Sequence, residues 1–377
     1  MVTRRKVAIV LSGGGARAAY QAGVLRAIAE SSPARAPSPF GIVTGVSAGA
    51  INALAIAAGA QDFRAATKRL CGLWSELYAH HVYRTDAVGL AGSGGRWLVS
   101  FVPAWRHRRP ASLLDNAPLH AFLQRVVPIG AVQTAIDAGL LEALAVTAMS
   151  YRSGLSVTFC ETRPDVELWS RSQRVGVRAT IGVAHLLGSS AIPFVFPPTA
   201  IDGDFYGDGS VRQVAPTSPA LHLGADRILV VGAARTTVRP DAPPSAAPPS
   251  MAQIGSQVLA SIFTDSLGTD LEKVRLVNAA VRQIPLDVLG QSPVPLRDVG
   301  LATVTPSVPL EDIALDYIDE LPRTIRLLLQ GVGGTRPGGA GLLSYLLFSP
   351  GYCNALMALG RADARIRRAE IEEVLAS

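Results

Sequence analysis

The chain opens with a short apolar run, Lys6 to Leu11, that stops at Ser12-Gly13-Gly14-Gly15 and gives way to a longer amphipathic stretch, Ala16 to Glu30. A brief apolar run closed by glycines predicts a buried strand, and the stretch after it predicts a helix. The order then recurs. After a Pro- and Ser-containing connection, Ser31 to Pro39, comes the run Gly41 to Gly45, then Val46-Ser47-Ala48-Gly49 and an Ala-rich helix through Ala58. Two strands with a helix between them make a βαβ unit, hence parallel pairing and a right-handed crossover. Ala143 to Ser150 and Leu155 to Glu161 predict strands joined by a tight Arg152-Ser153-Gly154 turn, and Arg227 to Gly232 predicts another strand. The expected fold class is α/β, with a mixed, mostly parallel central sheet flanked by helices.

Val238 to Ser250 is rich in Pro, Ala and Ser, the composition of an extended linker or surface loop. Helical patterns follow at about Met251 to Arg282, Leu310 to Gln330 and Tyr352 to Leu375, the last with Leu359, Ala362, Ile366 and Ala369 on one face. The expected organisation is a sheet-bearing domain over residues 1–235, a linker over 236–250 and a helical C-terminal region over 251–377.

Composition adds limits. With 377 residues, 49% hydrophobic and 17% charged, the chain has ample material for one large core. Basic residues outnumber acidic ones, 35 to 29, and all but Lys6, Lys68 and Lys273 are Arg. A mild positive field suits an anionic lipid surface. It also suits nucleic acid, but no zinc-finger, helix-turn-helix or ribonucleoprotein-type pattern is present, so no nucleic-acid partner is expected. Cys71, Cys160 and Cys353 are odd in number and far apart, which indicates neither a disulfide framework nor a metal site and fits a reducing compartment. After the basic start Met1 to Lys6 only Val7 to Leu11 precede the glycines, too few for a signal sequence, so a cytoplasmic protein is expected. Two uncharged stretches, Ala36 to Gln61 and Gly338 to Gly360, are long enough to span a membrane, but glycines and prolines interrupt both. Arg84 to Pro110 is irregular, basic and aromatic, with Trp97, Phe101, Trp105 and Arg106 to Arg109. Trp beside Arg suits a peripheral membrane contact, and a lid whose aromatics tuck into the core is the alternative.

The candidate chemistry begins with Gly45-Val46-Ser47-Ala48-Gly49, a G-x-S-x-G sequence between a predicted strand and a predicted helix. Small residues on both sides allow a sharp turn that projects the serine hydroxyl. The glycines Gly13, Gly14 and Gly15 open the earlier helix and leave backbone N–H groups free to hold a phosphate or a catalytic oxyanion. A nucleotide reading is the first rival, because Gly13-x-Gly15-x-x-Ala18 meets the looser dinucleotide fingerprint. Against it, Gly41-Ile42-Val43-Thr44-Gly45 offers no carboxylate at the end of the second strand.

Ser47 needs a base. None of the six histidines sits in a setting that marks it as catalytic; His185 and His222 lie on apolar helical stretches, where a packed structural histidine is the ordinary outcome. A carboxylate must be considered, and Asp208-Gly209-Ser210, after Phe205-Tyr206-Gly207, has a glycine on each side of the aspartate. Asp202-Gly203 is a nearby competitor, although an Asp-Gly pair is most often a turn. A Ser, Asp, His triad of the α/β-hydrolase kind is disfavoured by order: Ser47 follows only two strands, and His222 is the sole histidine after Asp208.

Ser12 to Arg17, Gly45 to Gly49 and Asp208-Gly209, in that order, resemble the glycine-rich block, nucleophile elbow and aspartate-glycine motif of patatin-like phospholipases. Ser190 to Pro198 resembles the block before that aspartate, and Gly224-Ala225-Asp226 with the strand after it resembles the segment following, so the likeness spans about residues 6 to 232. The resemblance implies a three-layer patatin-like fold and a lipid ester substrate. It further implies Ser47 as the acylated nucleophile, Asp208 as the base of a Ser-Asp dyad without histidine, and an oxyanion hole around Gly13, Gly14 and Gly15. No metal or organic cofactor is implied. Ala18, where the family often has Gly, and Ser210, where Gly or Ala is usual, are small departures expected to tune activity. A catalytically silent lipid-binding protein remains the second rival.

Overall fold

The computed structural model describes residues 6–86, 112–128, 130–235, 248–289 and 296–376. Most of the Arg84 to Pro110 segment and of the 236–250 linker therefore lies outside the described residues.

Ten strands among the described residues form one sheet. They are β1 (Val7–Leu11), β2 (Ile42–Val46), β3 (Ala143–Ser150), β4 (Ser156–Thr162), β5 (Ser170–Arg171), β6 (Arg174–Arg178), β7 (Thr199–Ile201), β8 (Asp204–Asp208), β9 (Arg227–Val231) and β10 (Gly300–Val304). The order is β10-β9-β1-β2-β3-β4-β6-β5, with β8 paired to both β3 and β7. From β10 to β3 every pairing is parallel, whereas β4 and β8 run antiparallel to β3. The mixed, mostly parallel sheet is thus as expected. Every residue of β1, β2, β3 and β4 is buried, because helices cover both faces.

Local sequence accounts for the central crossover. Helix α1 (Ala19–Ser31) follows a single 3-10 turn, Gly15–Ala18, and returns the chain to β2 beside β1. Helix α2 (Ala48–Ala58) begins directly after Ser47, and α3 (Phe63–Ser75) is capped by Asp62, whose carboxylate accepts the Ala65 N–H.

The region after Met251 is not purely helical, as the sequence pattern suggested. Gly300–Val304 pairs in parallel with β9 and extends the sheet by one strand. Only five residues long and flanked by Pro295 and Pro306, it carries too little periodicity to be recognised. The pattern from Leu310 to Gln330 is broken into Leu310–Asp316, a 3-10 turn and Arg323–Gly331. Pro322, which cannot donate a backbone hydrogen bond, separates them. Between the helices Met251–Ala260 and Ser266–Val281 stands one π-helical turn, Ser261–Asp265.

The long C-terminal helix Pro350–Ile366 packs along α1 at very short range. A Cβ on Gly23 would collide with the Met357 carbonyl, and one on Gly360 with the Tyr20 carbonyl. Tyr20 adds a buried hydrogen bond to Asp363 Oδ2 at 2.9 Å. Among the described residues no single helix is long and apolar enough to cross a membrane. Ala340–Leu346 and Pro350–Ile366 together pass by length and composition, but they meet at 97° and their apolar side chains fill the core.

Candidate active site

Sheet register brings Ser47 and Asp208 together. Strand β2 ends at Val46 opposite Thr147 of β3, and β8 ends at Asp208 opposite Ala148, the next residue along the same strand. Gly209 makes the approach feasible, since a Cβ there would strike the Thr147 carbonyl and come within 2.8 Å of Val46 Cγ2.

Ser47 occupies a strained elbow with φ 55° and ψ −132°, a region that non-glycine residues avoid. Its neighbours are small for a steric reason. A Cβ on Gly45 would lie 2.5 Å from the Gly49 carbonyl oxygen, and one on Gly49 would run into the Leu11 and Ser12 carbonyls. The elbow is also tied down from behind. Ser47 N–H donates to Ser189 Oγ at 2.8 Å, and Ser189 Oγ donates to the Thr147 carbonyl at 2.6 Å.

Asp208 has no solvent exposure. Its backbone N–H donates to the Ala191 carbonyl, and its Oδ1 accepts the Ser210 N–H at 2.9 Å. Burial pushes the carboxyl up to about 6. The Ser47 hydroxyl opposes that shift most strongly, followed by the Ser210 N–H and hydroxyl. Ser47 is therefore close enough to stabilise the carboxylate, yet Oδ2 receives no fully formed hydrogen bond among the described residues. Such bonds are commonly long before substrate arrives.

The glycine loop borders the same cleft, which Gly15 lines together with Ser47. Gly14 has φ 166° and Gly15 φ 55°, and the N–H groups of Gly13, Gly14 and Gly15 donate to no acceptor among the described residues. Gly15 cannot be larger, because a Cβ would overlap the Tyr345 carbonyl. Arg17 points away from this loop. It is buried, donates to Ser344 Oγ at 2.7 Å, pairs with Glu311 at 3.3 Å and lies over the Tyr345 ring at 4.1 Å. It anchors the C-terminal helices.

Gly15 and Ser47 line one cleft of about 770 Å³, counting its open mouth. Its walls are almost wholly apolar and include Leu70, Trp74, Phe122, Ile192, Leu346 and Phe348. These six residues come from four segments far apart in sequence, and the last two belong to the C-terminal region.

Two side chains that competed for the role of base lie elsewhere. His185 accepts the Gly182 N–H through Nδ1 and packs edge-on against Phe159; burial holds its pKa down. His222 stacks on Trp169, and burial with three nearby arginines lowers it to about 4. Asp202, with φ 48°, is the exposed turn between β7 and β8. Among the described residues no group of histidine, cysteine or acidic side chains is arranged to hold a metal.

Sequence reasoning missed Ser189, Gln21, Asn52 and Trp74. Gln21 and Asn52 are fully buried and hydrogen-bonded to each other, to the glycine loop and to the Trp74 indole. Only the folded structure pairs these two amides, one on each helix, so no local pattern in the sequence marks them.

A family model described as patatin-like phospholipase matches residues 9–221. Among solved structures, human GIVD cytosolic phospholipase A2 in complex with methyl gamma-linolenyl fluorophosphonate and terbium chloride is 14% identical, covering 98% of this chain and 59% of that one, with a TM-score of 0.44. VipD from Legionella pneumophila is 14% identical over 81% of this chain and 62% of its own, with a TM-score of 0.31. The type III effector ExoU is 15% identical over 76% and 58%, with a TM-score of 0.29. The chain spans about three-fifths of the length of these structures. A comparison with curated proteins finds no match.

Proposed function

The chain belongs to the patatin-like phospholipase family, and from that premise we propose that it is a lipid acyl hydrolase acting through Ser47 and Asp208. The observation that carries the reading is the placement of the strained Ser47 at the wall of an apolar cleft, with the buried Asp208 carboxylate behind it. An acyl chain fills such an apolar cleft without leaving polar groups unpaired.

In the reaction, Asp208 accepts the Ser47 proton as Oγ attacks the ester carbonyl. The N–H groups of Gly13, Gly14 and Gly15 hold the resulting oxyanion, one such donor being worth ~3 kcal/mol. Collapse expels the alcohol, which takes the proton from Asp208, and leaves the acyl group on Ser47. Water then attacks the acyl-enzyme with Asp208 again as base, releasing the fatty acid. The base needs its carboxylate form, so activity is present above pH 6 or so and is lost as pH falls through that value.

Labelling by an alkyl fluorophosphonate that vanishes in Ser47→Ala tests the nucleophile, and a panel of acyl esters tests the cleft. Each methylene buried adds ~0.8 kcal/mol, so kcat/KM should climb about fourfold per carbon until the cleft is full. A wild-type chain that binds fatty acid but takes no label would instead be the silent lipid-binding protein.

A further inference from the structure

A continuous buried hydrogen-bond chain joins the acyl cleft to the glycine loop. The Trp74 ring lines the cleft, and its indole N–H donates to Asn52 Oδ1 at 2.8 Å. Asn52, on the helix that Ser47 begins, donates through Nδ2 to Gln21 Oε1 at 2.9 Å and to the Ala18 carbonyl at 3.0 Å. Gln21 in turn donates through Nε2 to the Ser12 carbonyl at 2.8 Å and to the Val231 carbonyl of β9 at 3.1 Å. Both amides have no solvent exposure, and the side-chain oxygen and nitrogen of each are engaged.

The Ser12 carbonyl and the Gly13 N–H belong to one planar peptide group and point in opposite directions. Holding the carbonyl therefore aims the N–H. Gly13 has no Cβ to fix its own conformation, and its N–H donates to no acceptor among the described residues. Ser12 Oγ, which accepts the Ala233 N–H at 2.9 Å, anchors the same residue from the other side.

We propose that Gln21 is the positioning residue for the Gly13 oxyanion donor, and that Asn52 and Trp74 make its placement depend on the acyl chain in the cleft. The inference rests on the hydrolase reading above. An acyl chain seated against the Trp74 ring restrains the indole, the indole restrains the Asn52–Gln21 pair, and that pair restrains the Ser12–Gly13 peptide. Part of the chain's binding energy then appears in the transition state and raises kcat, where it would otherwise only lower KM.

The test uses the whole chain with p-nitrophenyl butyrate and p-nitrophenyl decanoate, with rates expressed per Ser47 titrated by a fluorophosphonate. Counting only labelled sites removes any loss of folded protein from the comparison. Gln21→Met keeps the length and apolar volume of the side chain but cannot hold the Ser12 carbonyl. It should lower kcat about tenfold to a hundredfold with KM within about threefold, the scale of a misplaced oxyanion donor. Affinity for a decyl trifluoromethyl ketone, whose adduct carries an oxyanion, should fall by the same factor as kcat/KM. Trp74→Phe keeps an aromatic wall and deletes the indole donor, so the ratio of decanoate to butyrate kcat should collapse toward one.

An unchanged kcat per labelled site in Gln21→Met, or ketone affinity that does not follow kcat/KM, overturns the positioning role. A kcat ratio preserved in Trp74→Phe overturns the coupling to the acyl chain. Failure of the wild-type chain to take label at Ser47 refutes the hydrolase reading itself, and this inference with it.

Discussion

Replacing Asp208 with Asn should abolish ester hydrolysis and at the same time make the protein more stable. The carboxyl is fully buried, and desolvation lifts its pKa from 3.8 to about 6 despite the hydrogen-bonding groups of Ser47 and Ser210 around it. A pKa raised in the folded state means that the folded protein prefers the neutral acid. Its contribution to stability is complete below the unfolded value and is lost as pH rises through about 6. A rise of about two pH units corresponds to a cost of about 3 kcal/mol once the group is charged on both sides of the equilibrium. Asn retains an oxygen for the Ser210 N–H and carries no charge. Asp208→Asn should therefore gain up to about 3 kcal/mol at pH 8, about half of that at pH 5, and almost nothing below pH 4. For a chain of this length 3 kcal/mol corresponds to about 4 °C in Tm. Calorimetric scans at pH 8 and pH 5, alongside kcat/KM for a soluble acyl ester, measure both effects. A variant that is destabilised at pH 8, or whose gain does not vary with pH, would refute the buried-charge argument. Retained activity, with loss in a His185 variant, would replace the dyad with a triad.

Other substitutions probe the surrounding contacts. Ser47→Gly should be more stable than Ser47→Ala by about 1 kcal/mol in chemical denaturation, because only the former relieves the strain of a side chain at φ 55°; equal stabilities would mean that the elbow stores no strain. Ser210→Ala removes a hydroxyl that favours the charged form of Asp208, so the acid limb of kcat/KM should move to higher pH than in the wild type. A limb that stays in place or moves lower would exclude that hydroxyl as a donor to the carboxylate. Ser189→Ala strands the Ser47 N–H and the Thr147 carbonyl in the core and should cost about 1–3 kcal/mol in urea unfolding, with kcat falling as the elbow loosens. A fully stable, fully active Ser189→Ala would show that the β2–α2 turn holds itself.

How far the sequence discloses this molecule depends on the range of the interactions involved. The two strand-turn-helix units at the N-terminus were legible because each is closed locally, by apolar runs and glycines within a few residues of one another. The G-x-S-x-G elbow was legible for the same reason. Asp208 was different: an Asp-Gly pair is ambiguous by itself, and only the order of motifs over the chain singled it out from Asp202. What places it is the pairing of β8 with β3, a contact that no local pattern announces. Ser189, Gln21, Asn52 and Trp74 were illegible because each acts through partners far along the chain or on another element, and a serine or an amide in a helix has no periodicity to betray it.

The C-terminal region carries the same lesson furthest. Composition suggested a linker at residues 236–250 and a set of helices after it, yet what the helical region contributes is contact with the motif-bearing half. Strand β10 covers the edge of β9, Glu311 and Ser344 hold Arg17, and the Tyr345 carbonyl packs on Gly15. Leu346 and Phe348 close the apolar cleft, with Phe348 stacked on Trp74 at 6.5 Å. A chain cut at residue 235 would expose β9 as an unpaired apolar edge, open the cleft to water and strip the Arg17 guanidinium of its partners. Each of these is a liability for folding or for lipid binding. The truncated chain should therefore aggregate or fail to take fluorophosphonate at Ser47. A soluble 1–235 fragment that labels at the wild-type rate would show that the motif-bearing half builds the site without help, and that the C-terminal contacts serve only stability.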